Sequence, residues 1–356
     1  MRIIHCGDIH LDSKLESNLP DSASKTRKKE IIMSFRRMVD YAIENNVDVV
    51  IIAGDLFDSQ RMLDTTRDAV LGKIGEADKV QFLYLIGNHD MGSKLLDLPL
   101  PQNLKIFSDN WTTFEFGNVA VTGVNLTEQN CRHIYGSLNL DDSKFNIVTM
   151  HGELGTAYSS QSVNRNELGD KDIDYLALGH YHSYREGALG EKGVWCYCGC
   201  LEGRGFDECG DKGFVVLDID DKGKFSFKFH KSSIRDIVEV ECDISGIADT
   251  SEMMRKINSS VTDVSTEAML KVVLTGDIPA EARKDLELFK KELGEKFWFV
   301  KLKDKTKILL NHEDYINDIS LKGEFIRKVL ASELPEEVRQ RVIECGLAVL
   351  SGREVL

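Results

Sequence analysis

Five short clusters of carboxylate, imidazole and amide side chains punctuate this chain, each directly after an apolar run: Asp8-Ile9-His10, Gly54-Asp55-Leu56-Phe57-Asp58, Gly87-Asn88-His89-Asp90, His151-Gly152 and Gly179-His180-Tyr181-His182. Five of the 9 histidines fall inside them. Oxygen and imidazole donors without thiolate suit Mn2+, Fe or Zn2+ better than a soft metal or a purely Mg2+ site. Asp8, His10, Asp55, Asn88, His151, His180 and His182 are more donors than one catalytic ion with an open position can use. Two divalent ions about 3.5–4 Å apart, sharing a carboxylate, would use them economically. His5, His133, His230 and His312 lie outside the clusters and are expected to be packing or surface residues.

Side chains more than a hundred residues apart converge when they sit at the carboxyl ends of neighbouring strands, which line one crevice in α/β sheets. The apolar runs fit that arrangement. Residues 2–7, 47–54 and 80–87 read as buried strands, with further runs at 119–124, 145–150 and 173–179. Between the early ones, residues 28–45 carry Ile31, Ile32, Phe35, Met38, Val39 and Ala42 at helical spacing, and 62–77 read as a second crossover helix. Residues 193–199, 213–218 and 225–229 are short, turn-separated and expected to be antiparallel, so the predicted fold is α/β with mixed sheets. Past residues 231–236 the order strand 237–242, helix 250–259, strand 269–274, helix 280–293, strand 297–302 predicts a small βαβαβ unit. Amphipathic helices at 322–330 and 335–347 follow, with Pro335 suited to the first turn of the second. The expected division is 1–232, 235–310 and 313–356.

The 42% hydrophobic and 29% charged content excludes a disordered chain. There is no apolar run approaching the roughly 18 residues of a membrane span, and no charged-then-apolar leader, so no membrane association and a cytoplasmic location are expected. Among the 8 cysteines, Cys196, Cys198 and Cys200 alternate along a strand and share one face, which suits packing better than a tetrahedral zinc site. The net charge of −14 argues against a broad freestanding nucleic-acid surface. The basic run Lys25, Arg27, Lys28 and Lys29 is expected to be a solvated helix start, with phosphate contact as the alternative.

The order D-x-H, GD-x-x-D, GNH-D, H, GH-x-H resembles the calcineurin-like metallophosphoesterase superfamily, and within it the DNA repair exonucleases of the SbcD and YhaO type. Leu11-Asp12-Ser13 and Gly203-Arg204-Gly205-Phe206-Asp207-Glu208 add to the likeness. The resemblance implies two mixed sheets packed together and flanked by helices, then a capping domain and C-terminal helices. It implies that Asp8, His10 and His182 hold one ion, that Asn88, His151 and His180 hold the other, and that Asp55 bridges them. His89 is then the catalytic non-ligand that contacts the scissile phosphate or protonates the leaving oxygen, with Asp90 orienting its ring. Asp58 is expected to orient a ligand or serve a helix start, and Arg204 to touch phosphate or pair with Asp207 or Glu208. No cluster pairs a nucleophilic side chain with a base, so water attacking phosphorus in line, without a covalent intermediate, is expected.

The residues after the second motif, Asp58-Ser59-Gln60, and Ile86 before the third depart from the protein-phosphatase pattern of the superfamily. The expectation is a Mn2+-dependent DNA exonuclease or endonuclease subunit, digesting from the 3′ end. Its terminal helices would dock on an SbcC-like coiled-coil ABC ATPase through Ile326, Val329, Leu330, Val338, Val342, Ile343 and Leu347, and the nuclease domain would form a two-fold homodimer. The alternatives are a small-molecule phosphodiesterase or phosphatase, and a mainly architectural DNA-binding subunit.

Overall fold

The computed structural model describes residues 1–15, 19–58, 62–90, 99–279, 282–309 and 318–350. It divides into two compact units, Met1–Ile237 and Val238–Leu356.

In the first unit, β1 (Arg2–Cys6), α1 (Asp21–Glu44), β2 (Val49–Ala53), α2 (Asp64–Glu76), β3 (Gln81–Leu85) and β4 (Leu104–Ile106) give four parallel strands with helical crossovers. β5 (Thr112–Phe116), β6 (Val119–Gly123), β7 (Phe145–His151), β8 (Glu153–Gly155), β9 (Ser162–Asn164), α3 (Arg165–Leu168), β10 (Tyr175–Gly179), β11 (Arg185–Leu189), β12 (Gly193–Tyr197), β13 (Gly213–Ile219) and β14 (Phe225–Lys231) follow. Two six-stranded mixed sheets result, β14-β13-β1-β2-β3-β4 and β11-β12-β10-β7-β6-β5. β2 is VVIIA, buried at every position, as a strand covered on both faces requires. Ile4, Val50, Ile52 and Phe82 pack under Phe35, Met38 and Val39 of α1 and Val70 and Ile74 of α2. The opposite face, Ile3, Val49, Ile51 and Leu83, meets Val121, Ile147, Tyr175 and Ala177 of the second sheet, so the inner core lies between the sheets.

Three expectations change. α1 begins at Asp21, because its polar first turns carry no apolar periodicity to announce them. β12 pairs parallel with β10 and antiparallel only with β11, since the hairpin at Gly190 turns β11 back and returns β12 to the direction of β10. Arg27 is not at the surface: it is fully buried, donating to Glu202 at 2.8 Å, to Glu30 and to the Gly203 carbonyl. Arg235 closes the network on Glu30 at 2.5 Å, and Glu202 accepts from the Ile234 N–H at 2.6 Å. Cys196 and Cys198 are free thiols buried in the inter-sheet core, and Cys200 is buried and free beside them.

The second unit builds a three-stranded sheet, β15-β16-β18, from β15 (Ile237–Asp243), β16 (Met269–Thr275) and β18 (Phe299–Asp304), covered by α4 (Thr250–Ser260) and α5 (Leu286–Lys296). The second helix starts later than expected, at an Asp285 cap, because Asp277–Pro279 forms the short strand β17 and pairs with β19 (Lys307–Leu309). α6 (Leu321–Leu330) and α7 (Glu336–Leu350) form a hairpin whose own core takes Ile326, Val329, Ile343 and Leu347, so these four are not an open docking face. His312 lies outside the described residues.

Candidate metal centre

The two sheets bring the carboxyl ends of their parallel strands to one place. β1 delivers Asp8 and His10, β2 delivers Asp55, β3 is followed by Asn88 and His89, β7 ends on His151, and β10 is followed by His180 and His182. Glycine makes the approach possible. A Cβ on Gly179 would lie 1.8 Å from the Ala53 carbonyl oxygen, the atom to which His151 Nδ1 donates at 2.9 Å. Asp8, His10, Asp12, Asp55 and His180 all adopt left-handed backbone, φ between 49° and 110°, a cost of about 1–3 kcal/mol each that clusters where side chains must be aimed. Asp12 ties this edge to α2 by accepting from the Leu63 N–H at 2.8 Å and Thr66 Oγ1 at 2.9 Å.

Three overlapping triads, Asp8/His10/His182, Asp8/Asp55/His151 and His10/Asp55/His89, have donor atoms within 4.8 Å of one another. With His151 Nδ1 committed to the Ala53 carbonyl, Nε2 faces Asn88 Oδ1 at 3.0 Å and Asp55 Oδ2 at 3.2 Å. His10 and His182 likewise face each other through Nε2 atoms 3.2 Å apart. Lone pairs gathered this closely require a cation or a proton between them, so the donor set fits divalent ions. Without an ion a proton fills the place. Burial opposes charge on His151, but the Asp55 hydrogen bond and the fields of Asp55 and Asp8 push its imidazole up to about 9. Burial likewise works against ionised Asp55, yet His151, His10 and the His89 N–H hold it well below the usual carboxylate range. Burial raises Asp8 to about 6, against the pull of His151 and His182. The His180 N–H bonds both Asp8 oxygens at 2.9 Å, and its ring lies 5.5 Å from that of His151, centroid to centroid.

Around these donors the structure redistributes the expected supporting roles. Asp90 does not turn to the His89 ring. It is buried and accepts from the backbone N–H groups of Phe57 at 2.8 Å, Gly87 at 3.1 Å and Leu56 at 3.2 Å, which ties the second motif to the third. Asp58 is the carboxylate that faces His89, 3.8 Å from Nδ1. Arg204 pairs with Glu208 at 2.6 Å and reaches within 3.1 Å of His182 Nδ1. Glu208 itself, whose place beside a histidine was not foreseen, accepts from His182 Nδ1 at 2.7 Å. Its only signal in the sequence was the charged stretch Arg204 to Glu208 after a glycine-rich strand exit.

Residues 1–184, more than half the chain, match the family model for calcineurin-like phosphoesterases. The chain belongs to that family. The matched span of this calcineurin-like phosphoesterase includes every residue of the five clusters, while Arg204 and Glu208 lie beyond it. The chain is 28% identical over 253 residues to the uncharacterized metallophosphoesterase YhaO of Bacillus subtilis, covering 65% of this chain and 60% of that protein. It is 26% identical to the DNA double-strand break repair protein Mre11 of Sulfurisphaera tokodaii over 52% of this chain and 49% of that one. Against the Mre11 of Haloferax volcanii the identity is 25%, over 98% of this chain and 75% of that protein. The calcineurin-like phosphoesterase thus spans about half to three quarters of these relatives' lengths. Among its described residues no helix is long and apolar enough to cross a membrane.

Proposed function

We propose that this chain is a metal-dependent DNA nuclease that hydrolyses phosphodiester bonds with two divalent ions, Mn2+ foremost, as one subunit of a DNA-repair assembly. In this reading Asp8, His10 and His182 hold one ion, Asn88, His151 and His180 the other, and Asp55 is shared. Bound there, the ions supply Lewis acidity and neutralise charge during in-line displacement at phosphorus. The Ala53 carbonyl and the Glu208 carboxylate fix the rings of His151 and His182 through Nδ1, leaving both Nε2 atoms turned inward.

The observation that carries the reading is the placement of His89. Its side chain is 47% exposed, its ring centroid stands 4.8 Å from that of His10, and its backbone N–H is anchored on Asp55 Oδ1 at 2.8 Å. An imidazole half in solvent and half over buried donors can meet a phosphoester at the mouth and give its proton to the leaving oxygen, with the Asp58 carboxylate 3.8 Å from its Nδ1. Similarity to Mre11 proteins over most of the chain favours DNA as the ester. We place 3′-to-5′ polarity, cytoplasmic location and a two-fold dimer in the same reading.

In the same reading we place the docking of a partner ATPase on the second unit. Leu321, Phe325, Val338, Val342 and Val349 line a groove of about 790 Å3 between α6 and α7, and Val338 and Val349 are exposed. A helix-in-groove contact fits this surface better than the buried residues of the hairpin core.

The net charge of −14 favours a second reading, a small phosphoester as substrate. The purified chain with Mn2+ is offered linear DNA and, separately, a simple phosphomonoester, with His89→Ala as the control. DNA degradation lost in the variant supports the nuclease; monoester turnover with intact DNA establishes the small-molecule enzyme.

A further inference from the structure

The acidic composition leaves unexplained how the chain would hold a polyanion, and α1 carries an exposed cationic stretch. Lys25, Lys28, Lys29, Arg36 and Arg37 are all exposed, and none has an acidic partner among the described residues. At about 100° per residue they fall within roughly half the helix circumference, and residues 25 to 37 span about 18 Å. Of the acids of the same helix, the exposed Asp21 and Glu44 are its first and last residues, outside the stretch 25 to 37, and the other two are used. Glu30 points inward to Arg27 and Arg235, and Asp40 pairs with Lys73 at 2.6 Å.

We propose that this face of α1 is a track for the phosphate backbone of duplex DNA leading away from the metal centre. The proposal rests on the nuclease reading. β1 and β2 are parallel, so α1 starts at the strand ends where the metal donors gather and runs away from them. The join is physical. Arg27, within the basic stretch, binds Glu202 and the Gly203 carbonyl; the next residue is Arg204, whose guanidinium lies 3.1 Å from His182. One strand of duplex DNA presents a phosphate about every 3.4 Å of axis, so 18 Å matches about five phosphates against five cations. The buried ion-pair network thus does two things: it removes Glu30 from the stripe and fixes the helix to the segment that holds His182.

The test substitutes Gln at Lys25, Lys28, Lys29, Arg36 and Arg37 together. Binding of a fluorescein-labelled 30-base-pair duplex is followed by anisotropy in EDTA across a KCl series. Hydrolysis of bis(p-nitrophenyl) phosphate with Mn2+, an ester too short to reach the helix, reports on the centre. The expected result is at least tenfold weaker DNA binding at 50 mM salt and a log K against log salt slope shallower by about 4, from about 0.9 per phosphate contact, with small-ester hydrolysis unchanged. Unchanged affinity and slope, in a chain whose parent binds and cleaves DNA, overturn the track and leave the nuclease reading standing. A parent chain that hydrolyses the small ester but neither binds nor cleaves DNA overturns both. Should the fivefold variant misfold, Lys28→Gln with Arg36→Gln is measured the same way, with a slope change of about 2 expected.

Discussion

Glu208 and His182 are 26 residues apart, yet the Glu208 carboxylate accepts from His182 Nδ1 at 2.7 Å while Arg204 binds the same carboxylate through Nε at 2.9 Å and its backbone N–H at 2.7 Å. Burial disfavours this charge, but His182 and Arg204 together hold Glu208 well below the usual carboxylate range, so it is an acceptor and the Nδ1 proton belongs to the histidine. Glu208→Ala is expected to weaken Mn2+ binding about 10–100-fold, the range for loss of a carboxylate behind a metal-binding histidine. Glu208→Gln, which keeps an acceptor oxygen, should lose less. Calorimetric titration with Mn2+ decides, and an Ala variant with parental affinity removes the role.

Replacing His89 separates binding from chemistry. His89→Ala should lower phosphodiester turnover about 10²–10⁴-fold, the usual worth of a general acid, while bound metal and melting temperature stay at parental values. Asp58→Asn, which keeps the size of the side chain but removes the carboxylate 3.8 Å from His89 Nδ1, should cost less turnover than His89→Ala. Loss of metal in His89→Ala would instead make it a ligand.

His5 sets an acid limit on stability. It is buried between the sheets with Nδ1 2.9 Å from the Tyr175 hydroxyl, and burial lowers it to about 3 from an ordinary value of 6.5. The unfolded chain therefore binds a proton that the folded chain refuses between about pH 6.5 and 3, so stability falls as pH falls through that window and is unaffected by this group above it. Its share is a slope of about 1.4 kcal/mol per pH unit. Chemical denaturation at pH 6 and 5 should show His5→Gln losing stability less steeply than the parent by about that amount.

Arg27→Met should lower the melting temperature strongly. It strips the cation from Glu202 and one cation from Glu30, both buried, and removing one side of a buried pair typically costs about 3–5 kcal/mol. Arg27→Met with Glu202→Gln should recover part of the loss, because no buried charge is then abandoned at Glu202. A thermal melt of the two variants is the check, and an unchanged midpoint in the single variant refutes the network as a stabilising element.

Gly179→Ala is expected to disrupt the centre without touching a donor. Its Cβ would collide with the Ala53 carbonyl oxygen and come within 2.8 Å of His151 Nδ1. Mn2+ affinity should fall along with the melting temperature, and a fully metallated variant of normal stability would show that the strand ends can separate.

What was legible in the sequence was local. Each cluster announced itself because an apolar run must end before charged donors begin, and because residue type alone sets coordination chemistry; Asp8, His10, Asp55, Asn88, His89, His151, His180 and His182 could all be read that way. Helical spacing likewise placed Phe35, Met38 and Val39 on one buried face. Periodicity reports which side of an element is covered, not by what.

The tertiary structure decided the partners. Arg27 reads like its neighbours Lys28 and Lys29, and only the arrival of Glu202 and Gly203 beneath α1 buries it. In one dimension Asp90, next to His89, is the expected companion of that ring; the fold draws it into the backbone amides of residues 56, 57 and 87 and leaves Asp58 facing the histidine. Ile326 and Ile343 lie on amphipathic stripes that fit a partner or a neighbour equally well until the hairpin closes on them. Hydrogen bonds and ion pairs act over about 3 Å, a distance set by how strands and helices stack, so a chain can specify its donors residue by residue while their companions exist only once distant segments have packed.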